Sequence, residues 1–387
     1  MNTLLEKEIH LNSDWLGRNG KPLIIAGPCS AESEQQVLQT ARKLAKIHQV
    51  TILRAGIWKP RTRPNGFEGI GIQGMQWLKK VKEETNLKIA IEVANAHHVY
   101  EALKHGIDVL WIGARTTVNP FSVQEIAIAL QGVDVPVFVK NPINPDLQVW
   151  IGALERLAQA GVRRLGAIHR GFSTFEKTPY RNAPKWEIPI ELKRLVPEIP
   201  LICDPSHISG KRELIFEISQ KALDLAMHGL MIETHIDPDN ALSDSKQQVK
   251  PEALKNILNK LKYRRPSGNT AEPEEILKML RREIDATDNQ LIELIFRRTE
   301  ISRKIGQYKK ENNMTILQVN RWQQLLDDRL KHASRLGLDK DFVKDIYQIL
   351  HDRSIKIQSE LMNQPTGLRK NFGTNNKKEA IPDISKN

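Results

Sequence analysis

The sequence predicts an α/β protein: a (β/α)8 (TIM) barrel followed by a small all-α three-helix domain. Three observations predict it. Residues 20–263 alternate strictly between short apolar runs and longer segments of helical period, which implies a parallel sheet. Eight such pairs in this length fit a closed barrel better than an open doubly wound sheet, and no glycine-rich dinucleotide fingerprint follows the first run. Periodicity does not itself show closure, so the open sheet stays as the alternative. Beyond the segment Arg264–Thr270 the pattern turns wholly helical.

In order, the strand-like runs are Leu23–Ala26, Val50–Ala55, Lys88–Val93, Val109–Gly113, Val135–Val139, Leu165–Ile168, Leu201–Cys203 and Leu230–Glu233. The intervening amphipathic segments are Glu34–His48, Gly71–Thr85, His98–His105, Ser122–Leu130, Leu147–Ala160, Ile188–Leu195, Glu213–Met227 and Pro251–Tyr263. The barrel domain is therefore 1–263. A linker, 264–272, carries proline, glycine and small polar residues. The helical domain spans 273–363: one long helix to about Glu311, a break at Asn312-Asn313, a second helix near Gln318–Leu336, and a third from Lys340 to Met362. Three helices make a thin core, so the long one is expected to dimerise. Residues 364–387 read as a disordered basic tail.

Composition limits the function. The 387 residues carry 58 Lys and Arg against 46 Asp and Glu, a net charge of +12, which asks for an anionic partner without choosing one. No apolar run is long enough for a spanning helix, and the first ten residues lack the apolar segment of a secretory signal, so no membrane role is expected. Two cysteines make no disulfide framework and point to the cytoplasm. Nucleic-acid binding by the basic C-terminus is a weak reading, because Phe372 is the tail's one aromatic residue.

In a (β/α)8 barrel the active site is built just past the C-terminal ends of the strands. Those positions hold Gly27-Pro28-Cys29-Ser30, Arg54 with Lys59-Pro60-Arg61-Thr62, Glu92, Gly113-Ala114-Arg115, Lys140-Asn141, His169-Arg170-Gly171, Asp204-Pro205-Ser206-His207 and Glu233-Thr234-His235 followed by Asp244. Six cations, Arg54, Lys59, Arg61, Arg115, Lys140 and Arg170, crowd one mouth and favour phosphate ligands. Cys29, His207, Glu233 and Asp244 form a mixed soft and hard donor set suited to a divalent Mn, Fe, Co or Zn ion acting as a Lewis acid. A lone strand-end cysteine is more often a buried structural thiol, which is the reading for Cys203. A lone arginine is more often a solvated surface group. The joint pattern reverses both.

Gly27-Pro28-Cys29-Ser30, Lys59-Pro60-Arg61-Thr62, Gly113-Ala114-Arg115, Asp204-Pro205-Ser206-His207 and Ala241-Leu242-Ser243-Asp244 together resemble the 3-deoxy-D-arabino-heptulosonate 7-phosphate (DAHP) synthases in their compact form. The resemblance covers nearly all of residues 20–263. The sibling octulosonate 8-phosphate synthases differ at Lys-Pro-Arg-Thr, which points to erythrose 4-phosphate as the aldose. The resemblance implies the same four metal ligands. It sets phosphoenolpyruvate against Arg54, Lys59, Arg115, Lys140 and Arg170, with Lys59 counted as catalytic, and erythrose 4-phosphate against Arg61 and Thr62. Asn141-Pro142 and His169 stand where other compact members carry different neighbours, so the group handling the proton at C3 is left open.

In the helical domain Arg298 and Lys309 lie 11 residues apart, three turns with about 20° of drift, and share one helix face. Arg281 lies 17 residues before Arg298 on a different face, Arg321 opens the second helix, and Ser354 and Gln358 are an i, i+4 pair. This spacing resembles the all-helical chorismate mutases over about 274–358. That resemblance implies a clamp of Arg298, Lys309, Arg321, Ser354 and Gln358, with Arg281 entering from the partner of a homodimer. Lys309 and Gln358 are the catalytic contacts to the ether oxygen of chorismate. Gln318 and Trp322 depart from positions that are often acidic in that family. The reading is thus a bifunctional enzyme with allosterically coupled domains. The alternative is a synthase whose helices are a catalytically weak dimerisation and effector-binding module.

Overall fold

Apolar β-branched runs bounded by polar turns form eight strands in the computed structural model, which describes residues 21–59, 67–175, 177–264 and 271–363. They are β1 (Leu23–Gly27), β2 (Val50–Arg54), β3 (Lys88–Val93), β4 (Val109–Ile112), β5 (Val137–Lys140), β6 (Leu165–His169), β7 (Leu201–Cys203) and β8 (Gly229–Glu233). Each pairs in parallel with the next, and β1 pairs with β8 from Leu23↔Gly229 to Gly27↔Glu233, so the barrel is closed. The open-sheet alternative is thereby removed.

Helices separate the strands: α1 (Glu34–Leu44), α2 (Gln73–Thr85), α3 (Ala96–Lys104), α4 (Ala114–Thr117), α5 (Pro120–Ala129), α6 (Leu147–Gln159), α7 (Glu187–Leu195), α8 (Pro205–Ser209) and α9 (Ile215–Asp224), with α10 (Pro251–Lys260) after β8. Several begin at side-chain caps: Ser33 on Gln36, Asn95 on His98 and Asp146 on Val149. Several boundaries differ from the periodicity reading, and two of them have a plain local cause. The fifth strand starts at Val137 rather than Val135, since Pro136 lacks a ladder donor. The helix expected from Ser122 starts at Pro120, capped by Asn119, and the single turn α4 precedes it.

Alternation along each strand places the site. Leu23, Ile25, Ile52, Ala90, Val109, Trp111, Phe138, Ile168, Ile202 and Met231 point inward and fill the barrel. The next inward position toward the C-terminal end is Arg54, Glu92, Gly113, Lys140, Arg170, Asp204 or Glu233 on β2 to β8 respectively. A charged layer thus lies directly on an apolar plug.

The chain divides into two compact units, Met1–Pro266 and Ser267–Asn387. The second contains α11 (Ala271–Glu311), α12 (Val319–Arg335) and α13 (Lys340–Met362). Helix begins at Ala271, inside the expected linker. Asn313 at φ 51° follows the end of α11, and Gly337 at φ 73° follows α12. α11 and α13 pack on each other, but Ile276, Leu280, Ile284, Leu291 and Ile295 remain exposed along α11. Among the described residues no helix is long and apolar enough to cross a membrane.

Candidate active sites

The charged layer of the barrel is a network of buried opposites. Arg54 is 1% exposed; its Nη2 lies 3.2 Å from Glu233 and its Nη1 3.9 Å from Asp204, over the Trp111 ring at 5.1 Å. Lys140 Nζ donates to Asp204 Oδ2 at 2.7 Å. Burial alone would push Asp204 up, yet His207, Lys140 and Arg54 hold it well below the usual carboxylate range. Arg170 Nη1 donates to Asn182 Oδ1 at 2.8 Å, and burial pulls its pKa down to about 10. Counting cations in the sequence overstated the uncompensated charge, because Asp204, Glu233 and Glu92 lie in the same layer. Positive character still remains: Arg54 Nε and Nη1, both buried, have no hydrogen-bond partner.

Beside this layer, Cys29 Sγ and carboxylate oxygens of Glu233 and Asp244 lie within 4.8 Å of one another. His207 Nε2 is 3.7 Å from Glu233 Oε1 and 3.8 Å from Asp244 Oδ2. Its Nδ1 lies 2.8 Å from Asp204 Oδ2 without hydrogen-bond alignment, so this acid acts on the ring through its charge, with Nε2 toward the carboxylates. Glu233 Oε1 is buried with no hydrogen-bond donor. A carboxylate oxygen held only by the Arg54 charge at 3.2 Å, with no hydrogen bond, amid a thiol, an imidazole and a second carboxylate, fits a divalent ion of the soft-to-borderline class. Burial and then Glu233 push the Cys29 thiol up to about 12. Cys203 is also buried and free, and lies in the outer core between strands and helices as a structural thiol.

The mouth is lined by Lys59, Glu92, Gly113, Arg115, Lys140, Arg170, Arg181, His207 and Asp244. Lys59 Nζ reaches Cys29 Sγ and Cys29 O, both at 3.1 Å. Arg115 is exposed at the rim. Arg61 and Thr62 lie outside the described residues. A larger cavity of about 790 Å³ opens at the opposite, N-terminal end of the strands, where Arg164 pairs with Asp134 and Asp108 with Lys82. Size alone therefore does not identify the site; convergent donors do.

Several participants escaped the sequence reading. Asp204 belongs to a motif already singled out, but its role as counter-ion to Lys140 and His207 is visible only in three dimensions. Arg181 donates to Asp244 Oδ1 at 3.0 Å and Gln247 Oε1 at 2.7 Å, and Gln247 Nε2 donates to Glu233 Oε2 at 2.7 Å. Asp244 sits at φ 48°, aimed by a loop that Ser30–Ser243 and Cys29–Gln248 contacts tie to the end of β1.

In the helical unit Arg298 Nη1 donates to Ser354 Oγ at 2.8 Å and Leu350 O at 2.9 Å. Lys309 and Gln358 are buried, and Gln358 Oε1 has no hydrogen-bond partner. A Cβ on Gly306 would lie 3.1 Å from Gln358 Cγ, so that glycine lets α13 approach α11 at this point. Arg298 and Ser354 thus meet between α11 and α13, Gln358 lies one turn further along α13 against Gly306, and the buried Lys309 donates from Nζ to Ile316 O. Arg281 and Arg321 do not join them: both are exposed, and 17 residues of helix put Arg281 about 26 Å along the axis from Arg298. Trp322 stacks on His351 at 3.9 Å beside the cluster, a pairing that the sequence did not announce.

Residues 7–266 match the DAHP synthetase I family, and residues 280–359 match chorismate mutase type II. A phospho-2-dehydro-3-deoxyheptonate aldolase of Thermotoga maritima is 30% identical over 244 residues, 63% of this chain and 70% of that protein. A 2-dehydro-3-deoxyphosphooctonate aldolase of Rickettsia typhi is 27% identical over 67% of this chain and 97% of its own length. The crystal structure of the Thermotoga maritima DAHP synthase superimposes with a TM-score of 0.57 at 30% identity, covering 62% of this chain and 68% of that one. A truncated form of the enzyme from that organism gives 0.54 at 27% identity, covering 62% and 85%.

Proposed function

From the premise that the chain belongs to the DAHP synthetase I family and carries a chorismate mutase type II domain, a bifunctional enzyme, we propose residue roles for its two reactions. The barrel condenses phosphoenolpyruvate with erythrose 4-phosphate and water to DAHP and phosphate. The observation that carries this reading is Arg54: a fully buried guanidinium whose Nε and Nη1 make no hydrogen bond, at the floor of a mouth that also holds Lys140 and Arg170.

Arg54, Arg115, Lys140 and Arg170 take the phosphate and carboxylate of phosphoenolpyruvate, charge-assisted contacts strengthened by the low dielectric of the mouth. Lys59 stands between that site and Cys29. Arg61 and Thr62 are assigned to erythrose 4-phosphate. The residues hold two mutually repelling phosphorylated substrates together and orient C3 of phosphoenolpyruvate on the aldehyde carbon. Water then adds at C2 and phosphate leaves. Cys29, His207, Glu233 and Asp244 would hold a divalent Mn, Fe, Co or Zn ion, which when bound supplies a Lewis acid for the aldehyde oxygen.

In the helical domain the substrate is chorismate and the product prephenate. The rearrangement is unimolecular and calls for no general acid or base; Arg298 fixes a carboxylate while Lys309 and Gln358 meet the ether oxygen, and Arg321, which the resemblance also assigned to the clamp, stands exposed apart from them. Gln358 Oε1 without a partner supports that assignment. Arg281 reaches the site from the second copy of a homodimer, a reading supported by the exposed apolar residues along α11. We place the enzyme in the cytoplasm on its free cysteines, and infer that the two activities are coupled through the dimer.

Phosphate release from phosphoenolpyruvate and erythrose 4-phosphate, and loss of chorismate absorbance, are assayed side by side. Chelation should abolish the first and spare the second. Lys309→Ala should do the reverse; full mutase activity in that variant overturns the helical assignment.

A further inference from the structure

Between β6 and α7 a segment crosses from the anion-binding side of the mouth to the metal-ligand turn. Its backbone is fixed: Arg181 N donates to Ser209 O at 3.2 Å, Asn182 N to Ile208 O at 3.1 Å, and Phe172 N to Ala183 O at 2.8 Å. Two glycines make room on either side. Gly171 (φ 76°) and Gly210 (φ 66°) both occupy the left-handed region, and a Cβ there would come within 2.8 Å of Asn182 O and 2.5 Å of Arg181 Cβ respectively.

At the centre of the segment lies Asn182, 7% exposed, with its amide divided between two functions. Nδ2 donates to His207 O at 2.6 Å, and Oδ1 accepts from Arg170 Nη1 at 2.8 Å. Arg170 is held a second time through its backbone, where its N–H donates to Asn141 Oδ1 at 2.7 Å. One planar amide therefore spans the turn that aims a metal donor and the guanidinium that meets the anionic substrate.

We propose that Asn182 is a positioning residue that sets metal affinity and phosphoenolpyruvate affinity together, by holding the His207 turn and the Arg170 guanidinium in one register. The proposal rests on the condensation reading above. It differs from a general packing role because the amide has two ends with separate partners. Leucine at this position fills a similar volume and loses both bonds. Aspartate keeps the acceptor for Arg170 but replaces the donor with an oxygen facing His207 O.

The test measures Mn(II) affinity of the full-length protein by competition with a chelator, and KM for each substrate at saturating Mn(II). Asn182→Leu should weaken Mn(II) binding about tenfold, the lower end of the range for partners that orient ligands. It should also raise KM for phosphoenolpyruvate about tenfold, leaving KM for erythrose 4-phosphate within twofold. Asn182→Asp should weaken Mn(II) as much while moving KM for phosphoenolpyruvate less, and it serves if the leucine variant fails to fold. Wild-type values for metal and phosphoenolpyruvate in Asn182→Leu overturn the proposal, as does an equal rise in both KM values. A wild type that makes no product from the two substrates fails the condensation reading instead, and the Mn(II) titration then still decides whether Asn182 orients the metal site.

Discussion

Replacing Asp204 by asparagine removes one negative charge from the most buried part of the barrel without changing its shape. Asp204 Oδ2 lies 2.7 Å from Lys140 Nζ and 3.9 Å from Arg54 Nη1, and all three side chains are at most 5% exposed. At an effective dielectric of about 20, those separations correspond to roughly 6 and 4 kcal/mol of attraction. Against this stands the desolvation of the carboxylate, several kcal/mol, which asparagine avoids. The net loss should be about 3–5 kcal/mol, as expected when one partner of a buried ion pair is removed and the other stays charged. Urea unfolding of the full-length protein, followed through the barrel's tryptophans, reads the change. Asp204→Asn combined with Lys140→Met should be more stable than Asp204→Asn alone, because the stranded ammonium is gone. A single variant within 1 kcal/mol of wild type, or a double variant whose losses simply add, would refute the reasoning. Metal affinity should fall at least tenfold in Asp204→Asn, since His207 Nδ1 loses its orienting charge.

Burial, and then the Arg170 charge, pull the His169 pKa from 6.5 to about 3. The unfolded chain therefore takes up the proton first, so this contribution is complete above pH 6.5 and is lost as pH falls toward 3. About 2 kcal/mol should disappear between pH 7.5 and pH 5, and His169→Phe should flatten the pH dependence of urea midpoints by that amount. In the helical unit, Gly306→Ala would place a Cβ 3.0 Å from Leu361 Cδ1 and 3.1 Å from Gln358 Cγ. Alanine favours helix, so stability should change by less than about 1 kcal/mol, while the displaced Gln358 should lower mutase turnover about tenfold with condensation untouched. Gly113→Ala would set a Cβ 2.0 Å from Glu92 Oε1, forcing that carboxylate off Trp111 Nε1; condensation should fall tenfold or more with the mutase rate unchanged.

The sequence carried the barrel because its signal repeats: eight apolar runs alternating with helical periods leave few parallel topologies, and strand alternation then carries each end residue inward. Arg54, Lys140, Arg170 and Glu233 were legible for that reason, being fixed by the strands themselves. Cys29, His207 and Asp244 were legible only as a set, from residue chemistry at three loop starts. What stayed hidden depends on contacts between loops. Arg181 meets Asp244 across 63 residues and Asn182 meets His207 across 25, and neither pairing leaves a periodic trace. Gly171 and Gly210 were visible as glycines, yet their shared purpose, admitting one segment between them, is a three-dimensional fact. The helical unit divides in the same way. Arg298, Ser354 and Gln358 were named through the resemblance to the chorismate mutases, since helix spacing alone gives only which residues share a face. The role assigned to Arg281 rests on the proposed homodimer, about which one chain's periodicity can speak only through the apolar face it leaves bare. The net charge of +12 resolves accordingly: its functional part is a small set of buried cations whose worth is set by the carboxylates beside them, Asp204 and Glu233 above all. Chemistry at this mouth is therefore a matter of which nitrogen atoms those acids leave without a hydrogen bond, and the buried Arg54 Nε is one of them.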